Sequence, residues 1–238
     1  MKLSLDSSLK QRGGGGAADW TPASISSLIH WYKYDTGITK GGDSGNEVTA
    51  WADQKGSNDL TATGDEAGSP VYDSGAIHFD GSVDILTFDS GLTLGKFSVY
   101  FRFEVSSFGT ADFLLNPTGA DFLKTQSASE MRIKIDGGSR HDVALGLTMS
   151  TGTKYNIGIE REDTGGGGDA NDQIFLFIDN VSKSVGGSGG GTQDITETWD
   201  IVQIGEPAAD VKFYEMIICN DSLSSNDRTS LNTYFDTI

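Results

Sequence analysis

The sequence predicts an all-β fold, an antiparallel sandwich or barrel, and three observations support this. Apolar and polar residues alternate along many short segments, which is the pattern of strands with one buried face. The 238 residues include 32 glycines and 25 aspartates against nine glutamates, and Asp and Gly favour turns over helix interiors. No long helical segment separates the strand candidates, which disfavours a parallel α/β sheet.

The strand candidates follow one another along the chain. In the segment 97–105, Phe97, Phe101 and Val105 are among five apolar residues on one face, while the other face should meet solvent or a partner. The segment 173–180 is nearly all apolar, as a strand covered on both faces would be. The other candidates are 75–81, 113–115, 131–137, 155–160, 200–204 and 211–218, and the first and third of these end in Asp-Gly.

Two short helices are predicted, one before the strands and one after them. Pro22 directly after Thr21 indicates a helix start near residue 21. Near the C-terminus, Ser224 and Asp227 stand three residues apart, which is a variant of the capping box. The apolar residues that then recur at helical spacing, and should lie on the sandwich, are Leu231, Tyr234 and Phe235.

Residues 1–19 differ in charge from the rest of the chain. They carry a net charge of +1 and the whole chain carries −17, so residues 20–238 carry −18. Because the four glycines at 13–16 make a hinge without backbone preference, we predict an extended N-terminal arm at 1–19 and one β domain at 20–238. The arm is either a disordered tail or a docking segment that adds to a partner's sheet. Its candidate partner-binding residues are Lys2, Leu3, Leu5, Leu9, Lys10 and Arg12.

The composition weakens several classes of function. A chain of this acidity repels nucleic-acid phosphates. No apolar run approaches the roughly 18–20 residues that span a membrane, and we expect no secretory signal at the N-terminus. Cys219 is the single cysteine, so we expect no intrachain disulfide, and its apolar strand predicts a buried, inert thiol. We expect neither nucleic acid nor a membrane as a partner.

Five short segments together form a family pattern. They are 29–38, 48–56, 58–61, 77–81 and 215–220, and a helix with Leu231 and Tyr234 follows them. Taken in this order, they resemble the laminin-G-like domains of the concanavalin A-like lectin/glucanase superfamily. The resemblance covers residues 25–238 and implies a two-sheet jelly roll.

A second resemblance concerns the start of the chain. Domains of this kind are similar to modules in virion proteins of tailed bacteriophages, and residues 1–16 resemble the amino-terminal arms of such proteins. This implies a protein made in the host cytoplasm and displayed on the virion surface. Its partners would be capsid or tail proteins, reached through the arm.

The sequence shows no catalytic constellation. The retaining glucanases of the superfamily place a Glu-x-Asp-x-x-Glu pattern on one strand, but no glutamate here is followed two residues later by aspartate. His30, His78 and His141 are isolated from one another and lack metal-ligand spacing. The glycine tracts 165–168 and 186–191 lack the Lys-Ser or Lys-Thr of a phosphate loop. We therefore expect no enzymatic activity and assign no catalytic residue.

One acidic loop offers oxygen ligands of the kind that calcium prefers. It contains Asp163, Asp169, Asn171 and Asp172. Their spacing does not fit an EF-hand, and aspartate-rich loops are commonly solvated turns. We expect no cofactor and no metal site, with calcium at this loop as the alternative.

Aromatic residues beside Asp or Asn could instead stack against a sugar. Trp199 and Asp200, which follow a glycine-rich loop, are the main candidates because we expect them to be exposed, and Tyr72 is the next. Trp31 and Trp51 match structural positions of the resembled family, which implies that they pack in the sandwich.

The layout of arm, hinge and domain favours a non-enzymatic virion component. Capsid decoration, a head fibre or a tail-associated knob are its specific forms, and copies would pack as a symmetric oligomer or on a lattice. A lectin-like module that binds a host-surface glycan is the alternative. A glycoside hydrolase is the least favoured class.

Overall fold

The structure is a computed structural model that describes most of the chain from Trp20 onward. The described residues are 20–63, 69–81, 84–109, 112–117, 121–135, 140–161, 174–183, 185–186, 198–206 and 210–238. The predicted arm and the candidate calcium ligands Asp163, Asp169 and Asp172 lie outside these ranges.

Strands dominate the described residues. The first nine are β1 (Leu28–Tyr32), β2 (Ile38–Gly41), β3 (Glu47–Trp51), β4 (Leu60–Ala62), β5 (Val71–Asp73), β6 (Ala76–Asp80), β7 (Leu86–Leu94), β8 (Phe97–Val105) and β9 (Asp112–Leu115). The next nine are β10 (Phe122–Ser127), β11 (Glu130–Lys134), β12 (Arg140–Ala144), β13 (Lys154–Arg161), β14 (Ile174–Ile178), β15 (Val181–Lys183), β16 (Val185–Gly186), β17 (Trp199–Ile204) and β18 (Asp210–Cys219). A short 3₁₀ helix spans Pro22–Ser24, and the helix α1 spans Ser225–Phe235.

All the strand pairings are antiparallel within the described residues. The first sheet runs β15-β14-β13-β8-β18, and the far edge of β18 pairs with β6 along one half and with β1 along the other. The second sheet runs β3-β4-β7-β17-β9-β10-β11-β12-β16, with β2 beside β3. Because β5 pairs with both β6 and β3, the two sheets join along one side in a nearly closed β sandwich.

The main core lies between the two sheets. Alternate residues of β8, including Phe97, Phe101 and Phe103, point inward from the first sheet and are fully buried. Phe113 of β9 meets Phe101 and Phe103 from the second sheet, with ring centroids 6.0 and 5.5 Å apart. Alternation along β8 therefore supplies the core, as the sequence predicts.

The outer face of the first sheet forms a second apolar layer with α1. Tyr100 and Ile217 lie opposite each other on β8 and β18, and Trp31 of β1 continues the same row. Leu231 and Phe235 of α1 are fully buried in the cluster that contains these residues. The face of β8 that we expected to meet solvent or a partner is therefore partly covered by the C-terminal helix.

Several sequence predictions are confirmed in the described residues. Each predicted strand segment overlaps one of the strands, and the protein is all-β apart from its short helices. The backbone N–H of Asp227 donates to Ser224 Oγ at 3.1 Å, which is the predicted N-cap of α1. Pro22 opens only a three-residue 3₁₀ helix, and Thr21 makes no side-chain cap bond. Among the described residues, no helix is long and apolar enough to span a membrane.

Candidate functional site

A surface groove runs between α1 and the segment that leads into the 3₁₀ helix. Its volume is about 540 Å³, which lies within the usual range of small-molecule sites. The groove exists because α1 turns its apolar side to the first sheet, which leaves the opposite side of the helix to form one wall. We call it the helix groove, and its described lining residues are Trp20, Thr21, Thr229, Ser230, Thr233, Tyr234 and Thr237.

Two aromatic rings define the apolar part of the helix groove. Trp20 and Tyr234 meet edge to face, with ring centroids 6.3 Å apart and ring planes at 65°. Both side chains are partly buried, and both pack against the apolar layer under α1. The rings are therefore held by packing while part of each remains accessible.

The hydroxyl of Tyr234 is tied to a buried carboxylate. It hydrogen-bonds Glu215, which is fully buried in β18. Glu215 also accepts hydrogen bonds from Trp31 Nε1 at 2.6 Å and from the backbone N–H of Tyr34 at 2.9 Å. Burial raises the pKa of Glu215, and these donors oppose the rise. The network fixes the ring of Tyr234 in the wall of the groove.

Threonine hydroxyls form much of the polar lining. Thr229 Oγ1 donates to the carbonyl of Ser225 at 2.9 Å, Thr233 Oγ1 donates to the carbonyl of Thr229 at 2.9 Å, and Thr237 Oγ1 donates to the carbonyl of Tyr234 at 2.6 Å. Each of these hydroxyl protons is used within α1. Thr229 Oγ1 also accepts from Asn180 Nδ2 at 3.2 Å. Since a hydroxyl oxygen also accepts, Thr233 and Thr237 offer acceptors to a bound molecule.

None of the described lining residues is charged. Arg228, the one Lys or Arg of α1, bonds instead to Glu160 Oε2 at 3.0 Å and to the carbonyl of Leu223 at 2.7 Å. Glu160 is buried, accepts a further bond from Tyr100 at 2.7 Å, and has a pKa that burial raises. This charged pair fastens α1 to the sheet rather than serving the groove.

A second polar cluster lies at the start of the loop after β3. Buried Asp53 accepts from the backbone N–H groups of Trp31 and Lys55 at 2.9 and 3.0 Å, and its Oδ2 lies 2.7 Å from His30 Nδ1. Burial disfavours the charged carboxylate, but these hydrogen bonds outweigh burial and lower the pKa of Asp53. The cluster holds β1 to the loop, which is a structural task.

The structure corrects our expectation about Trp199. We expected an exposed ring after a glycine-rich loop, but Trp199 is 0% exposed and packs on Phe97 with ring centroids 5.0 Å apart. It faces the core because it begins β17 on the inward side of the second sheet. Trp199 therefore offers no ring face to a sugar. The neighbouring Asp200 is partly exposed, and its backbone N–H donates to Asp121 Oδ2 at 2.8 Å.

Tyr72 lies on β5 and does not line the helix groove. Its hydroxyl donates to Asp35, and this hydrogen bond, with a smaller effect of burial, raises its pKa to about 12. The ammonium of Lys40 lies 4.2 Å from its ring centroid. Tyr72 belongs to a different part of the sandwich from Trp199, because β5 pairs with β3 and β6 whereas β17 pairs with β7 and β9.

The remaining predictions concern the arm, a calcium site, two tryptophans and the single cysteine. The arm residues Lys2, Leu3, Leu5, Leu9, Lys10 and Arg12 and the calcium candidates lie outside the described residues. Within the described ranges, no cluster of three or more His, Cys, Asp or Glu side chains could hold a metal ion. Trp51 is packed between the sheets as expected, Trp31 is buried in the apolar layer under α1, and Cys219 is a buried thiol whose pKa burial raises to about 12.

Our sequence reasoning missed the helix groove. The threonines at 229, 233 and 237 recur every four residues, which places them on one face of a helix. From that helix we predicted only the apolar face that lies on the sandwich. Nothing local in the sequence places Trp20 beside Tyr234, because a long-range packing contact brings them together.

Comparison with known proteins finds likeness of fold alone. No protein-family model matches the sequence, and no curated protein matches it. The fold is similar to part of Trypanosoma rangeli sialidase, with a TM-score of 0.60 at 13% identity over 89% of this chain and 33% of that one. The sialidase in complex with sialic acid gives a TM-score of 0.59 at 12% identity over the same shares. This chain therefore spans about a third of the sialidase.

A solved domain of a different protein matches over nearly its whole length. It is domain 4 of AbnA, a GH43 extracellular arabinanase from Geobacillus stearothermophilus, in complex with arabinotriose. The TM-score is 0.57 at 15% identity, and the match covers 87% of this chain and 98% of that domain. The fold described here therefore corresponds to a complete domain of another protein.

Proposed function

We propose that this protein is a non-enzymatic recognition module that binds a glycan in the helix groove. The observation behind this proposal is the pairing of two fixed aromatic rings, Trp20 and Tyr234, with a lining of hydroxyl groups in a groove of about 540 Å³. Sugars present apolar C–H faces and many hydroxyls, so they match rings and hydroxyl oxygens together. A largely preformed groove with a few placed polar groups is the usual form of such sites.

We further propose that the sandwich is a jelly roll of the laminin-G-like, concanavalin A-like kind. The five segments that resemble that family support this, as does the antiparallel two-sheet arrangement. The similar solved structures are named as complexes with sialic acid and with arabinotriose, and both of these are sugars. They support glycan recognition as the class of function, while the identity of the sugar rests on this chain's own residues.

Binding of the full chain to an array of neutral and acidic glycans tests the proposal. Thr233 is an exposed residue in the groove wall, and Thr233→Lys should block the groove and abolish binding. Asn226→Lys makes the same change at an exposed position of α1 outside the groove and should leave binding intact. No binding to any glycan, or equal binding by both variants, would contradict a glycan site in this groove.

We also propose, for the chain as a whole, display on a bacteriophage particle through the arm at residues 1–19. The change from a net charge of +1 in the arm to −18 in the domain, with four glycines between them, supports this. Capsid or tail proteins would be the partners, with copies in a symmetric oligomer or on a lattice. Deleting residues 1–16 should abolish incorporation into particles without changing the thermal unfolding of the sandwich. Normal incorporation of the truncated chain would overturn this role.

A further inference from the structure

We infer that the helix groove selects uncharged glycans and disfavours sugars that carry a carboxylate. This inference rests on the proposed glycan-binding function and names its ligand class.

The lining offers a carboxylate no partner of opposite charge. A bound sugar acid normally meets Arg or Lys, because a desolvated carboxylate without a cation is strongly disfavoured. The described lining of the helix groove contains only aromatic and hydroxyl side chains. An acidic sugar would therefore lose hydration there without gaining an ion pair.

Among the described residues, two arginines, one in α1 and one bonded to Asp236 just after it, are committed to other groups. Arg228 is bonded to buried Glu160 and lies 4.8 Å from the ring of Phe177. On the same outer face of the sheet, Arg102 bonds Asn156 at 2.7 Å and Asp236 at 3.1 Å. If either side chain turned toward a ligand, the carboxylate or amide that it now bonds would lose its hydrogen-bond partner.

The carboxylates around the groove also oppose an anion. Glu215 lies under Tyr234 and bonds its hydroxyl, and α1 itself carries Asp227, with Asp236 directly after its last residue. The whole chain has a net charge of −17. This excess of negative charge lowers the concentration of anionic sugars around the protein.

The hydrogen-bond direction favours a neutral polyol. Since Thr233 and Thr237 donate their protons to carbonyls of α1, their oxygens are left as acceptors. A sugar hydroxyl can donate to such an oxygen, whereas a carboxylate has no proton to give. These threonine oxygens therefore suit the hydroxyls of a neutral sugar and give a carboxylate no hydrogen bond.

The test compares one oligosaccharide with and without a terminal sialic acid. Lactose with 3′-sialyllactose, and arabinotriose as a further neutral probe, would be titrated into the full chain by calorimetry. We expect the neutral sugars to bind about tenfold or more tightly than the sialylated one, the factor for one uncompensated charge. The ratio of the two affinities should shrink as added salt screens the negative charge of the protein. Thr233→Lys should abolish binding of the neutral sugar, whereas Asn226→Lys should not.

Equal or tighter binding of the sialylated sugar would overturn the selectivity while leaving glycan binding intact. If Thr233→Lys did not affect the binding of neutral sugars, the sugars would bind outside the helix groove, and the inference would also be wrong. If the protein bound neither these sugars nor any glycan on the array, the proposed function would be wrong, and the inference with it.

Discussion

The indole nitrogen of Trp31 donates a hydrogen bond to Oε1 of Glu215 at 2.6 Å, across two neighbouring strands. Glu215 is fully buried and also hydrogen-bonds the backbone N–H of Tyr34 and the hydroxyl of Tyr234. One carboxylate therefore joins β1, β18 and α1. Through Tyr234, this buried network shapes the wall of the helix groove.

Replacing Trp31 by Phe should destabilise the protein through this carboxylate. The change removes the indole donor and leaves a buried carboxylate oxygen without its partner, at a cost of about 1–3 kcal/mol beyond the lost packing. Trp199→Phe is the matched control, because Trp199 is also buried and its Nε1 has no hydrogen-bond partner among the described residues. Urea unfolding of both variants measures the difference. Equal losses would show that the bond to Glu215 adds nothing.

The aromatic ring and the hydroxyl of Tyr234 should have different roles, the ring in glycan binding and the hydroxyl in stability. Tyr234→Phe keeps the ring and removes the hydroxyl, so it should retain glycan affinity and lose about 1 kcal/mol of unfolding free energy. Tyr234→Ala removes the ring and should abolish binding. Calorimetric titration and urea unfolding of both variants provide the two readouts. Full affinity in a folded Tyr234→Ala variant would contradict the role of the ring.

Removing the guanidinium of Arg228 should leave Glu160 as an uncompensated buried charge. The pair is 3.0 Å apart, with Glu160 1% and Arg228 21% exposed, so we expect Arg228→Met to cost about 2–4 kcal/mol, with the partial exposure of Arg228 reducing the loss.

Burial already raises the pKa of Glu160, so the loss in Arg228→Met should be largest at neutral pH and shrink as the pH falls and the carboxyl protonates. The double variant Arg228→Met, Glu160→Gln should recover much of the stability. A double variant as unstable as Arg228→Met would contradict this account.

Asp53 should contribute to acid unfolding. Its folded pKa is lowered, so its stabilisation is present above the ordinary aspartate pKa of about 3.9 and is lost as the pH falls through the folded value. Asp53→Asn should therefore flatten the dependence of stability on pH below about 4, measured as melting temperature against pH. Asp43→Asn, at an exposed loop position, is the control and should follow the unaltered protein. Parallel curves for all three proteins would exclude this role for Asp53.

Features that depend on near neighbours could be predicted well from the sequence. The alternation along β8 predicts its buried face, because successive side chains of a strand point to opposite sides. Ser224 and Asp227 predict the start of α1, because a cap bond joins residues three positions apart. The positive φ of Gly81, 84°, follows the Asp-Gly turn signal after β6.

The site could not be predicted in the same way. Trp199 follows a glycine-rich stretch, which suggested exposure, yet the pairing of β17 with β7 turns its ring onto Phe97. Trp20 and Tyr234 stand near opposite ends of the described chain, and no local pattern links them. Only the packing of α1 on the first sheet creates a groove between them.

The sequence by itself determined an all-β protein with a capped C-terminal helix, because strand alternation, turn residues and capping act over a few neighbouring positions. The tertiary structure alone decided which side of the first sheet α1 covers, that Trp199 is buried and where a groove opens. Those outcomes depend on strand pairing between residues such as Trp31 and Ile217, far apart in the chain. The register of such pairs is set by the packing of the whole sandwich, and so it cannot be read from either segment alone.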